Sequence, residues 1–133
     1  MKNKYLLSLL WVIVSGFGIL MAQEIAIIPQ PAHLIVKNES FKFGKQLKVC
    51  IASYRGDSVT LVFDSFKDDF QKATGIKVTS VRSEAKAGIV LSVNQTLAPE
   101  AYKLDVSPKQ IRIEAARPAG FYYALQTLKQ LIR

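Results

Sequence analysis

The 133-residue chain carries one histidine, one cysteine and ten carboxylates, a small set to bring to acid, base or metal chemistry. A hydrolase needs two or three such groups converging on one point, so each possible set can be tested in turn. His33 stands between Ala32 and Leu34, close after Pro29 and Pro31. With no second histidine a histidine metal cluster is excluded, and a Ser/His/Asp arrangement would hang on a loop residue. Ordinary loop packing or exposure is the better reading. Cys50 alternates with Val49 and Ile51 in a strand-like run, where a small structural thiol is expected. A single cysteine also rules out an intramolecular disulfide and a thiolate metal cluster. Glycosidases commonly use two carboxyl groups about 5–10 Å apart. Asp68 and Asp69 are the obvious pair, but helical neighbours point about 100° apart and cannot meet at one substrate atom. Asp64, Lys67, Asp68 and Lys72 instead make a solvent face, with Asp68 and Lys72 at the favourable i, i+4 spacing. The seven glycines have no phosphate-cradle spacing, and no cofactor is implied. Asn38-Glu39-Ser40 and Asn94-Gln95-Thr96 match the glycosylation triplet, a pattern common by chance.

The elements that would position these groups follow from hydrophobic periodicity. Residues 25–28 read as a strand leading into Pro29-Gln30-Pro31, where both prolines forbid a helix interior. Residues 34–36 and 41–43 read as the arms of a hairpin around residues 37–40, and residues 47–51 as a further strand. Val59, Val62, Phe63, Phe66 and Phe70 share a stripe at helical spacing. Asp57 or Ser58 can cap that helix, and Gly75 suits its left-handed C-terminal position. Strands are expected over 76–81 and 88–93, separated by the charged loop 82–86.

Residues 101–115 carry the clearest pattern, a hairpin turning at Ser107-Pro108-Lys109-Gln110. Pairing Val106 with Ile111 places Leu104 opposite Ile113 on the apolar face. On the other face Asp105 meets Arg112, and Lys103 meets Glu114. That wet face argues for an antiparallel or mixed sheet covered on one side only. A second helix over 121–132 buries Phe121, Leu125, Leu128 and Ile132, with Ala124 beside them. The expected fold is α+β, a two-layer sandwich of a mostly antiparallel sheet with two helices on one face.

Residues 1–22 read as a targeting segment: Lys2 and Lys4, then an apolar run over 5–20, then Met21-Ala22 as a cleavage position. The alternative is an uncleaved anchor, since spanning a bilayer takes at least about 17 apolar residues. Either way residues 23–133 are expected to be exported, periplasmic or secreted, and to form one domain. Membrane contact is expected only if the signal stays on. The formal net charge is +8, of which Lys2 and Lys4 carry two. The remaining Lys and Arg residues are scattered singly, so a nucleic-acid partner is not indicated.

The segment Glu100-Ala101-Tyr102-Lys103-Leu104-Asp105-Val106, then Ile111-Arg112-Ile113-Glu114-Ala115, then Gly120-Phe121-Tyr122-Tyr123-Ala124-Leu125-Gln126-Thr127-Leu128-Lys129-Gln130-Leu131 resembles the end of the N-terminal domain of family-twenty glycoside hydrolases, the β-N-acetylhexosaminidases. That family's pattern is E-x-Y-x-L-x-V, I-x-I-x-A, a glycine and F-Y-G-x-Q-T-L-x-Q-L. Ala124 stands at a frequent family glycine, and Ile28-Pro29-Gln30-Pro31 looks like the domain's P-x-P opening. The resemblance implies a non-catalytic domain followed by a (β/α)8 barrel. In that barrel an Asp-Glu pair uses the substrate's own N-acetyl group as nucleophile. With the sequence stopping at Arg133, the barrel is expected to be missing and the chain to be a fragment, inactive alone, of an enzyme for terminal N-acetylglucosamine or N-acetylgalactosamine. No catalytic or substrate-binding residue carries over. Tyr102, Leu104, Ile111, Ile113, Gly120, Leu125 and Leu128 match as structural positions.

Tyr123, Thr127 and Gln130, with Gln126 alongside, fall on one strip of the last helix and are expected to dock the barrel. Two other readings compete. A free-standing carbohydrate- or surface-binding module would need an aromatic platform, for which Tyr54, Tyr122 and Tyr123 are eligible. A self-associating domain would use the docking strip against its own copy.

Overall fold

The computed structural model describes residues 27–28, 31–52 and 57–132. Expectations that fall on residues 1–26, on Pro29 and Gln30, and on Tyr54 lie outside them. The described elements run β1 (Gln46–Ala52), α1 (Asp57–Thr74), β2 (Lys77–Ser80), a 3₁₀ turn (Glu84–Lys86), β3 (Ile89–Val93), β4 (Tyr102–Val106), β5 (Ile111–Ala115) and α2 (Pro118–Leu131). The strands form one sheet in the order β2-β1-β3-β5-β4. The α+β class holds, but the sheet is mixed rather than mostly antiparallel. β1 pairs in parallel with β2 and with β3, β3 pairs in parallel with β5, and only β4 runs antiparallel to its neighbour β5.

The reason lies in which strands are central. The wet face that suggested an antiparallel sheet belongs to the β4–β5 hairpin at one edge. In the middle, Ile89, Val90 and Leu91 are consecutive and all buried, as are Val49 and Cys50. Continuous apolar runs are the signature of parallel strands covered on both faces. One face carries the main core, where Leu47, Val49, Ile89, Leu91, Ile111 and Ile113 meet Val59, Phe63, Phe66 and Phe70 of α1 and Phe121, Leu125 and Leu128 of α2. The other carries a small cluster of Cys50, Ala87 and Val90, with Ala52 and Val81 against it.

The helices match their stripes, and α2 starts at Pro118, because proline at the first position lacks only an N–H that has no intrahelical partner. α1 begins at Asp57, so Ser58 lies inside its first turn. It ends at Gly75, whose φ of 70° is the left-handed conformation that glycine adopts without strain, and Gly75 N donates to Gln71 O at 2.9 Å.

The hairpin register is as expected, from Tyr102 opposite Ala115 to Val106 opposite Ile111. Its turn is closed by Ser107, whose N and Oγ both donate to Gln110 O, at 3.1 and 2.7 Å, while Gln110 N donates to Ser107 Oγ. The cross-strand charges, however, bond elsewhere. Asp105 accepts from Lys37 at 3.1 Å, Arg112 donates to Glu84 at 3.2 Å, and Glu114 accepts from Asn94 at 2.7 Å. These partners sit in loops that reach the outer face of the hairpin, which no periodicity argument could place.

The expected first hairpin is also corrected. Residues 31–45 form an irregular strap with no strand, and among the described residues they make no backbone-to-backbone hydrogen bond. Phe41 and Phe43 nevertheless pack on the core, with ring centroids 5.1 Å apart and Phe43 5.4 Å from Phe70. Burial of the rings holds this part of the strap where strand pairing does not.

Candidate functional site

Among the described residues the groups able to do chemistry have separate surroundings. His33 is exposed on the strap. Asp68 is exposed on α1, with Asp64 and Lys72, as expected for a solvent face. Asp69 instead bridges the two helices, accepting from Lys129 Nζ at 2.9 Å. That hydrogen bond, together with the charge of Lys129 and then of Lys72, holds the Asp69 carboxyl below its usual pKa, the wrong direction for a general acid. Glu84, Asp105 and Glu114 have the partners given above. Among the described residues no group of three or more His, Cys, Asp or Glu side chains could hold a metal ion.

Cys50 is buried, and burial first, then the charge of Glu84, pushes its thiol pKa up. Both burial and the upward shift disfavour the thiolate, and the side chain packs with Ala87 and Val90. The open groove of about 590 Å³ beside β2 is lined by Lys67, Gln71, Gly75, Lys77, Val78, Thr79 and Ser80. It has neither a carboxylate nor an imidazole, so it cannot pair an acid with a base. Gln71 Oε1 occupies part of this edge by accepting from Val78 N at 2.7 Å.

The expected docking strip on α2 is only partly outward. Tyr123 is 41% exposed and Gln126 is half-buried. Thr127 is 5% exposed, and its hydroxyl lies 2.7 Å from Tyr102 Oη of β4. A step of four residues turns about 40° beyond a full circle on a helix. That offset carries Thr127 from the outer strip to the edge of the face that packs on the sheet. Gln130 is exposed, yet its amide is committed. Ile28 N donates to Gln130 Oε1 at 2.9 Å, and Gln130 Nε2 donates to Ile28 O at 2.8 Å. The side-chain amide thus pins the backbone of Ile28 to the last turn of α2, a contact that nothing in the local sequence marks.

As a sugar platform the two exposed tyrosines are poorly arranged. Tyr122 and Tyr123 meet edge to face, 5.7 Å apart with their planes at 69°, so they present no common flat surface.

The fold is a two-layer α+β domain, a five-stranded mixed sheet with two helices against its main core. The model for domain 2 of glycosyl hydrolase family 20 matches residues 24–133, and the chain belongs to that family. It is 29% identical over 112 residues to a beta-hexosaminidase of Vibrio furnissii, a match covering 84% of this chain and 17% of that protein. Among solved structures it is similar to the Vibrio harveyi family-20 exo-β-N-acetylglucosaminidase in complex with N-acetylglucosamine. There the TM-score is 0.70 at 33% identity, over 80% of this chain and 16% of that one. Streptomyces plicatus N-acetyl-β-hexosaminidase gives a TM-score of 0.68 at 27% identity, over 79% of this chain and 21% of that one. The chain therefore spans about a sixth of the curated relative it matches.

Proposed function

We propose that this chain is the accessory N-terminal domain of a β-N-acetylhexosaminidase that removes terminal N-acetylglucosamine or N-acetylgalactosamine from glycans. It does not itself cut the bond. The observation that carries this reading is the separation of its ionisable groups inside a family-20 fold. Among the described residues Asp69 is bound to Lys129, Asp105 to Lys37, Glu84 to Arg112 and Glu114 to Asn94, so each of these four carboxyls is engaged by a different partner rather than by another carboxyl across a sugar.

The role left to such a domain is mechanical. It presents a rigid surface to a (β/α)8 barrel that supplies the Asp-Glu pair, and exposed Tyr123 with half-buried Gln126 alongside is the part of the α2 strip offered to it. Residues 1–22 direct export to the periplasm or beyond, where such glycans are met.

A graft tests the reading. Residues 24–133 replace the equivalent domain of the Vibrio harveyi enzyme, and hydrolysis of an aryl N-acetylglucosaminide is compared with that of the same enzyme lacking the domain. The graft is expected to recover activity that the deletion loses, and Tyr123→Ala with Gln126→Ala to weaken the recovery. A graft no more active than the deletion would overturn the reading.

A further inference from the structure

β2 is an end strand of the sheet and pairs only with β1. In a parallel ladder alternate residues turn both N–H and C=O toward the neighbouring strand, and the residues between them turn theirs away. Val81 N donates to Val49 O at 2.8 Å, so Lys77, Thr79 and Val81 face β1 while Val78 and Ser80 face outward. An open row of this kind is a template on which another chain can pair. Two copies of this chain bring identical rows. Related by a two-fold axis, they would set Val78 of each copy opposite Ser80 of the other, and each such pair would exchange both of its hydrogen bonds.

One half of that template is already filled, because Gln71 Oε1 accepts from Val78 N at 2.7 Å. The local chain holds Gln71 in place. Gly75 N donates to Gln71 O at 2.9 Å, Thr74 Oγ1 donates to Phe70 O at 2.7 Å, and Ile76 N donates to Thr74 Oγ1 at 3.2 Å. These bonds close α1 and turn the chain straight into β2, so the last turn of the helix lies beside the strand's outer edge. Val78 is 2% exposed, which makes water a poor substitute for that acceptor. Ser80, by contrast, is exposed. Lys67 and Lys77 line the same edge, whose groove has no carboxylate to offset them, and two such edges brought together would set like charges against each other.

We infer that Gln71 guards the edge of the sheet: by holding the Val78 amide it denies a second copy of this chain the strand-pairing surface of β2. Sedimentation of the full chain tests this by comparing the parent with Gln71→Leu, which removes the acceptor, and Gln71→Glu, which keeps one. Gln71→Leu is expected to self-associate at least about tenfold more tightly than the parent with an unchanged circular dichroism spectrum, and Gln71→Glu to match the parent. Adding Ser80→Pro to Gln71→Leu removes the second outward donor at an edge position that accepts proline, and should return the association to the parent's. A hydrogen bond that only stabilised the fold would not produce association that one edge proline reverses. Association of Gln71→Leu equal to the parent's, or left in place by Ser80→Pro, overturns the guard. If Gln71→Leu does not fold, hydrogen exchange of the parent decides: the Val78 amide is expected to exchange at least about tenfold more slowly than that of Ser80, and equal rates overturn the guard.

Discussion

Gly120 is the position where the fold tolerates least. A Cβ there would lie 2.5 Å from Ala101 O, 2.8 Å from Ala115 Cβ and 3.4 Å from Ala101 C. Carbon atoms in contact prefer about 3.5–4.0 Å, so the first turn of α2 would have to lift from the β4–β5 hairpin. Such overpacking costs about 1–3 kcal/mol or more, and here the nearest obstacle is backbone, which cannot swing aside. Opposing it, alanine gains about 1 kcal/mol over glycine in a helix. For Gly120→Ala the steric term, taken near its upper end because backbone is the obstacle, should win by about 1–2 kcal/mol, and a domain of this size would then melt about 4–10 °C lower. Urea denaturation followed by circular dichroism should show the midpoint falling with an unchanged slope. Gly44→Ala is the control, because its added Cβ meets only Gln46 O at 3.9 Å, and it should stay within about 0.5 kcal/mol of the parent. A Gly120→Ala chain as stable as the parent would refute the steric account.

Three other expectations can be checked on the same preparation. Tyr102→Phe should cost about 1–2 kcal/mol by leaving the buried Thr127 hydroxyl without its partner, whereas adding Thr127→Val should cost little more, so purely additive losses would contradict the pair. Cys50, 2% exposed and raised in pKa, should react with a thiol reagent at least about a hundredfold more slowly in the folded chain than in urea; rapid labelling of folded protein would contradict its burial. Asp69 should titrate below the ordinary aspartate value of about 3.9 in an NMR pH series, and Lys129→Met should move it upward. Because its folded pKa is depressed, the ion pair contributes above the unfolded pKa and is lost as pH falls through the folded one. An unmoved titration would exclude Lys129 as the cause.

Much of this architecture can be read from local pattern. The stripes Val59-Phe63-Phe66-Phe70 and Phe121-Leu125-Leu128 are dictated by helical period, and they are buried. The hairpin register follows from the alternation of Leu104-Val106 and Ile111-Ile113 about a four-residue turn. What failed needed information from elsewhere in the chain. Ile89-Val90-Leu91 did carry the parallel signal, but the edge hairpin with its wet face is not representative of the sheet's centre. Residues 34–36 have strand composition but no strand partner among the described residues, so composition alone misplaced them. Thr127 is decided by a 2.7 Å contact from a strand 25 residues away, and Gln130 by one 102 residues away. At the candidate site, the parting of Asp68 and Asp69 was legible because helical neighbours point apart, while the partners that the acids take, Lys37, Arg112, Asn94 and Lys129, were not.

The central claim is that the domain supports chemistry done elsewhere. The most direct test incubates the purified 133-residue chain with an aryl N-acetylglucosaminide at high enzyme concentration and follows release of the aryl group. The account predicts a rate equal to that of buffer. Turnover above buffer that vanishes when His33 or one of the chain's own carboxylates is substituted would contradict it.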